Sequence, residues 1–369
     1  MNFKDIKNTL LRFDHLLESI GYHYIYARQF KRYLKINNIP NKKVHGEIDY
    51  INKWKQLSKH VEPYSYRLFS RYCGNTTDII PEDIGRTIIE PILNNCRYQD
   101  YYCDKNLYSE YLKKDILPKT VLCRIGGSLI LNDQFVPVSQ PINSYLNNYN
   151  KVILKPSIDT SSGIGVELYQ KTDNQWINVK NRQNLTFEYL NKYGSDFILQ
   201  EALEQHSDMS FFNPSSVNTI RIGTYRSVKD EKVYILGSLI RIGKNGEIMD
   251  NAHAGGKYVG INPETGVVGN CAYDQYGQKT NIWNNVDFST LHYRLPSWDK
   301  VIELAKYIGK KIIHARLLAL DICVDKNGNP KLVEFNVDGY SYWLYEFVGQ
   351  KGLGDFTDEI IEYCKLKKK

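Results

Sequence analysis

Long apolar runs are missing from this 369-residue sequence. None approaches the roughly 18 residues a membrane helix needs, so no stable membrane insertion is expected. The opening M-N-F-K-D-I-K-N-T-L-L-R-F-D-H-L-L is amphipathic and lacks the apolar centre of a signal peptide, which gives a cytoplasmic address as the expectation. Cysteines are few: Cys73, Cys96, Cys103, Cys123, Cys271, Cys323 and Cys364 are odd in number and scattered. Without C-x-x-C spacing they indicate neither a disulfide framework nor a zinc site. There is no internal repeat and no low-complexity linker. No Ser/His/Asp or Cys/His set has a recognisable spacing, and G-x-x-x-x-G-K-[ST] is absent.

What is present is ordinary globular composition, 42% hydrophobic and 24% charged, in a chain of 42.9 kDa. That size exceeds one core and should divide into two or three lobes. A net charge of +7 with 29 tyrosines invites a nucleic-acid reading. The basic residues are dispersed, however, apart from the tail Lys365, Lys367, Lys368 and Lys369, and steering of an anionic substrate explains the balance equally well. No nucleic-acid partner is expected.

Residues 1 to about 100 look mainly helical, with helical spacing in L-L-R-F-D-H-L-L-E-S-I and in P-E-D-I-G-R-T-I-I-E-P-I-L. From Val121 strands dominate: T-V-L-C-R-I-G-G-S-L-I-L, K-V-I-L-K-P, D-F-I-L-Q-E-A-L, N-T-I-R-I-G-T-Y-R and K-V-Y-I-L-G-S-L-I-R-I. Turns are expected at Lys244 to Glu247 and Asn262 to Gly266, and helices at Leu185 to Tyr193 and Trp298 to Ala315. The fold class is α+β.

The stretch Leu317 to Asp338 reads as a hairpin that sets out a metal site. With Asn327 and Gly328 at the centre of a type I′ turn, Asp321 and Glu334 fall opposite each other and Asn336 shares their face. Two carboxylates held this close repel unless neutralised, and a hard cation such as Mg²⁺ does so while leaving positions for phosphate oxygens. Asp321 lies between L-L-A-L and I-C-V, and an acid in an apolar strand is rarely buried without a partner. Upstream, K-V-I-L-K-P-S-I-D-T-S-S-G-I-G-V delivers Lys155 at a strand end, followed by a Ser/Thr/Gly loop with Ser162, Gly163 and Gly165. Such a loop can close its N–H groups around phosphate oxygens. Read alone, it serves as well for a flexible turn beside a surface lysine.

In this order and spacing, the lysine-ended strand, the acidic hinge I-L-Q-E-A-L and the terminal E-F-N hairpin resemble the ATP-grasp superfamily. S-V-N-T-I-R-I-G-T, L-I-R-I-G-K-N-G-E-I-M-D-N-A-H-A-G-G, I-N-P-E-T-G and L-D-I-C-V-D-K-N-G-N-P-K-L-V-E-F-N look like its sugar-transfer-associated branch, found among bacterial surface-polysaccharide genes. The resemblance covers roughly residues 100 to 350. It implies a first lobe at 101–204 with the phosphate loop and a second lobe at 205–369 with the metal-binding hairpin, and it leaves the mainly helical N-terminal region at 1–100 unexplained.

By the same resemblance, Lys105 and Lys155 contact nucleotide phosphates, Gln200, Glu201 and Leu203 line the adenine, and Glu204 or His206 holds the ribose. Asp321, Glu334 and Asn336 bind Mg²⁺. Arg221 and Arg241 neutralise the transferring phosphate, although each also reads as an outward-pointing arginine in an apolar alternation. Asn251, His253, Gly255 and Gly256 could shape the acceptor site, with His253 a candidate acid or base; a lone histidine is otherwise a hydrogen-bonded structural residue. The implied chemistry is ATP-dependent ligation of a carboxylate to an amine through an acyl phosphate. The implied substrates are a carboxylate-bearing sugar or glycan, such as a uronic acid, and an amino acid or amino sugar. A sugar kinase using the same nucleotide site, or a non-catalytic carbohydrate- or nucleic-acid-binding protein, are the alternatives.

Overall fold

The computed structural model describes residues 3–131, 141–158, 163–194 and 196–368. Of the residues singled out above, Ser162 and Lys369 lie outside that set.

Short β-branched and aliphatic runs punctuated by glycine favour antiparallel sheets, and two form. In the first, β1 (Thr120–Ile125), β2 (Ser128–Leu131), β3 (Lys151–Pro156), β4 (Glu167–Thr172), β5 (Gln175–Asn178) and β6 (Phe197–Glu201) lie in the order β2-β1-β6-β3-β4-β5. The expected single strand over 120–131 is instead the hairpin β1–β2, because Gly126 and Gly127 both take positive φ, +57° and +82°. Strand alternation splits this sheet by function. Leu122, Val152, Leu154 and Leu199 pack against Leu146 and Leu190 of the helices Ile142–Leu146 and Phe187–Lys192, while Ile153, Lys155 and Gln200 face the other way.

The second sheet contains β7 (Ile220–Arg226), β8 (Val233–Ile242), β9 (Lys257–Gly260), β10 (Ala272–Tyr273) and β11 (Lys279–Thr280). A small separate hairpin, β12 (Ile282–Trp283) with β13 (Val286–Asp287), follows, and β14 (Leu317–Val324) and β15 (Pro330–Asn336) complete the order β11-β10-β9-β8-β7-β14-β15. On one face Ile220, Ile222, Ile240, Leu318, Leu320 and Ile322 bury the helix Trp298–Lys311. On the opposite face Leu239, Tyr258, Leu317 and Ala319 share a core with the N-terminal helices, including Phe30, Trp54, Tyr66 and Phe69, and with the helix Tyr342–Phe347. The helical region is therefore half of the second sheet's core. Its segment 81–93 is helical, as the spacing predicts, but passes through a π-helical stretch at Gly85–Ile89 between Glu82–Ile84 and Glu90–Leu93.

The terminal hairpin corrects the expected turn. Gly328 N–H donates to Asp325 O at 2.9 Å and only Gly328, not Asn327, has positive φ, +77°. This is a three-residue loop closed by a left-handed glycine, not a type I′ turn. It puts Ile322 opposite Leu332, one residue out of the expected register; a bulge between Asp321 and Ile322 then restores Asp321 to Glu334. Two departures cancel. The bulge residue is Val333, and both it and Glu334 line the cleft.

Candidate active site

The free faces of the two sheets look at each other across a cavity of about 240 Å³, bounded by Lys155, Gln200, Glu201 and Leu203 from one sheet and its exit, and by Arg221, Arg241, Asp321, Glu334 and Asn336 from the other.

Asp321 sits mid-strand among aliphatic neighbours and is buried, as is its partner Arg221, while Arg241 is partly exposed. Arg221, cross-strand on β7, grips it with Nε to Oδ1 at 2.7 Å and a terminal nitrogen to Oδ2 at 2.9 Å; Arg241 on β8 adds a contact to Oδ2 at 3.1 Å. Burial alone would raise the Asp321 pKa, but the two guanidinium groups hold it below the usual carboxylate value. The outward-pointing reading of both arginines is thus set aside. Arg241 also approaches Asp250 Oδ1 at 3.4 Å, and Asp250 in turn accepts from Thr219 N–H at 2.9 Å and from the Thr219 hydroxyl. Asp250 and Thr219 were not anticipated; D-N-A-H gave no signal that its aspartate, rather than its histidine, faces the cleft.

Lys105 and Lys155 converge from a 3₁₀ turn at Lys105–Leu107 and the end of β3, both less than a tenth exposed. Lys105 N–H is tied to Ser157 O at 2.8 Å, which docks the turn on the strand end. Its Nζ lies 3.7 Å from Glu334 Oε2. Burial, and then the charge of Lys105, push the Lys155 pKa down to about 8, with Glu334 pulling the other way. Two buried cations share one carboxylate, an arrangement that an anion completes.

At the hinge end, Gln200 Nε2 reaches Thr120 Oγ1 at 3.3 Å and Pro118 O at 3.4 Å, while its Oε1 is buried without a hydrogen-bond partner. Ile153, Val166, Leu203 and Val333 supply apolar wall beside it. Gly163 takes φ +72°, and a Cβ there would meet Met249 Cε from the other lobe; Gly165, at +83°, is packed under Tyr193 and Pro156.

Outside the cavity wall fall Gly165, Lys105, which lines a small adjoining pocket with Lys155 and Gln200, and Glu204, His206 and His253. Glu204 is exposed and paired with Lys326 at 2.7 Å, on the hairpin turn. His206 caps a short helix, accepting from Asp208 N–H at 3.2 Å. His253 is exposed and bonded through Nδ1 to Gln275 Oε1 at 2.7 Å, with Asn251, two residues before it, on the wall instead.

Fit to Mg²⁺ rests on donor chemistry. Glu334 and Asn336 present oxygens to the cleft; Asp321 accepts three hydrogen bonds and so keeps about one of its four lone-pair sites. An all-oxygen set of this size suits Mg²⁺, which retains waters and takes phosphate oxygens as further ligands. Among the described residues no three His, Cys, Asp or Glu side chains cluster as a metal site, so Asn336 is needed to complete the set.

Two antiparallel sheets facing a cleft, with two lysines on one side and carboxylate and amide groups on the other, are an arrangement of the ATP-grasp kind. The chain matches the sugar-transfer associated ATP-grasp family over residues 94–361 and belongs to it. Among solved structures it is similar to an ADP complex of N5-carboxyaminoimidazole ribonucleotide synthetase, at 11% identity and TM-score 0.38 over 69% of this chain and 51% of that one. It is also similar to the D-alanine–D-alanine ligase of Bacillus anthracis, at 13% identity and TM-score 0.37 over 73% and 70%. A third is the biotin carboxylase domain of Hydrogenobacter thermophilus 2-oxoglutarate carboxylase, at 13% identity and TM-score 0.42 over 74% and 47%. The chain thus spans about half the length of the first. No curated protein matches it. Among the described residues no helix is long and apolar enough to cross a membrane.

Proposed function

We propose that the protein is an ATP-dependent ligase that activates a sugar-linked carboxylate, such as a uronic acid, and joins it to an amine. The observation that carries this is the pair of buried lysines facing a strand that bears Glu334 and Asn336, with two arginines locked beside them on Asp321.

Lys105 and Lys155 hold the nucleotide phosphates. Gln200, whose buried Oε1 wants a donor, reads the amino edge of adenine between Ile153, Leu203 and Val333, with Glu201 beside it. Glu334, Asn336 and the spare lone pair of Asp321 hold Mg²⁺, which when bound offsets charge on the phosphates. The substrate carboxylate oxygen attacks the γ-phosphorus and the bond to the β-bridging oxygen breaks, giving an acyl phosphate and ADP. The amine then attacks the carbonyl carbon, phosphate leaves, and the nitrogen loses a proton. Arg221 and Arg241 have N–H groups to spare beyond those on Asp321, and they face the oxygens on which charge grows. The cation's identity, the substrates and the polysaccharide setting all belong to this proposal. So do the ribose and acid–base roles, for which Glu204, His206 and His253 are now poorly placed.

The test is a trapping assay. With ATP, Mg²⁺ and a uronic-acid-bearing nucleotide or glycan, hydroxylamine should replace the amine and give a hydroxamate detectable by mass spectrometry. A stable phosphosugar with neither hydroxamate nor amide would replace the ligase with a sugar kinase.

A further inference from the structure

Side chains of the N-terminal region hold the segment of the second sheet's chain just beyond Glu334 and Asn336. The β14–β15 ladder ends at the pair Ala319 and Asn336. Past that pair, the buried amide of Asn94 takes over: Nδ2 donates to Leu317 O at 2.7 Å and Val337 O at 2.6 Å, and Oδ1 accepts from Arg316 N–H at 2.9 Å and Leu317 N–H at 3.0 Å. All four hydrogen-bonding positions of the amide are used on backbone.

The next three residues are held in turn. Asp338 Oδ2 accepts from Arg86 at 2.9 Å and Gln99 at 3.2 Å; Gly339 N–H and Tyr340 N–H donate to Glu90 Oε2 at 2.6 and 3.3 Å. Gly339 takes φ +71° where a Cβ would strike Arg86, so the path of the chain is fixed there. Tyr340 then lays its hydroxyl against Gly223, two residues along β7 from Arg221, and stacks on Tyr345 with ring centroids 5.1 Å apart. Four consecutive residues, 337–340, are therefore each fixed by a side chain from residues 86–99.

We infer that Asn94 and Glu90 are positioning residues for the cation: they fix the direction in which β15 delivers Glu334 and Asn336, and through Tyr340 they set the floor under Arg221. The helical region is then part of the active site although none of its side chains needs to touch the nucleotide. The inference rests on the reading of Glu334 and Asn336 as Mg²⁺ ligands.

Calorimetric titration of ADP, once with Mg²⁺ and once with EDTA, tests both separately. Mg²⁺ should tighten ADP binding by wild-type protein. Asn94→Asp keeps the shape of the amide but loses its two donors, and should lose roughly 10–100-fold of the Mg²⁺-dependent gain, the usual cost of removing a group that orients a metal ligand. Its ADP affinity in EDTA should stay within about twofold of wild type, where the lysines do the work. Glu90→Ala should behave likewise, and Glu90→Gln, which still offers an acceptor to Gly339, should restore the wild-type gain. If either Asn94→Asp or Glu90→Ala fails to fold, the other carries the test, with Gln99→Ala as the milder third. Variants with the full Mg²⁺ gain, or with equal losses in Mg²⁺ and EDTA, overturn the positioning role. A wild type that shows no Mg²⁺ gain overturns the metal reading itself, and the inference with it.

Discussion

Lys155 holds its proton weakly because it is buried beside a second lysine, and its pKa of about 8 makes it the group by which nucleotide affinity should follow pH. A bound phosphate favours the charged amine and raises that pKa. ADP affinity should thus be flat below about 8, fall as pH rises above it, and be accompanied by proton uptake on binding at alkaline pH. Titrations in buffers of different ionisation enthalpy measure the uptake, and Lys155→Ala should abolish both the uptake and the pH slope. Glu334→Gln should lower turnover by roughly 10²-fold or more, on the scale of losing one preorganised electrostatic contact, while the protein still folds; undiminished Mg²⁺-dependent turnover would remove Glu334 from the metal site. These residues were legible because an acid in an aliphatic strand and a lysine at a strand end are costly unless used. Arg221 and Arg241 were legible only by resemblance, since alternation alone cannot tell a cleft from solvent. Asp250, Val333 and Asn94 were not legible at all: each acts through partners far away in the chain.

At the scale of elements, the hairpin shows how a right pairing can come from a wrong turn. N-G is the favoured type I′ dipeptide, yet Asp325 takes the turn: its side chain accepts from Asn327 N–H at 2.9 Å and Asn329 N–H at 2.8 Å, which favours the longer loop. The bulge at Val333 then absorbs the extra residue. Deleting Val333 should regularise the ladder and leave Glu334 across from Asp321, but remove a wall of the proposed adenine pocket. The expected result is ADP binding weakened by roughly tenfold, the scale of one buried aliphatic side chain, with its Mg²⁺ dependence kept. Loss of the Mg²⁺ dependence would show that the bulge, and not the pairing, aims Glu334. The period-3.6 and period-2 patterns correctly located the helix Trp298–Lys311 and strands β3, β7 and β8; the π-helical stretch and the β1–β2 turn depend on local backbone choices that periodicity does not record.

Across the whole molecule, the interface between the N-terminal helices and the second sheet stores an unusual number of buried acids. Burial raises Glu62 to about 7 and Glu82 and Glu90 to about 8, with Glu346 also raised. Asp83, Arg86, Asp338 and His23 face the same cluster, and His23 is itself raised by its bond to Asp83. A carboxyl whose folded pKa exceeds its unfolded value contributes stability that is fully present below the unfolded pKa and is lost as pH rises through the folded one. The melting temperature should therefore fall steadily between pH 4.5 and about 8, the interval set by Glu82 and Glu90, and Glu82→Gln should flatten the slope. A flat profile in wild type would mean that water reaches these carboxyls.

The two lobes already touch where Gly163 meets Met249, and Lys180 lies 3.4 Å from Glu247 across the same gap. The cavity of about 240 Å³ is smaller than the roughly 300–1,000 Å³ of ordinary ligand pockets, yet under the proposed function it takes a nucleotide and two further reactants. Entry then waits on separation of the lobes, so the observed rate of nucleotide capture should level off at high nucleotide concentration instead of climbing in proportion, and the plateau would be the opening rate of the closed enzyme.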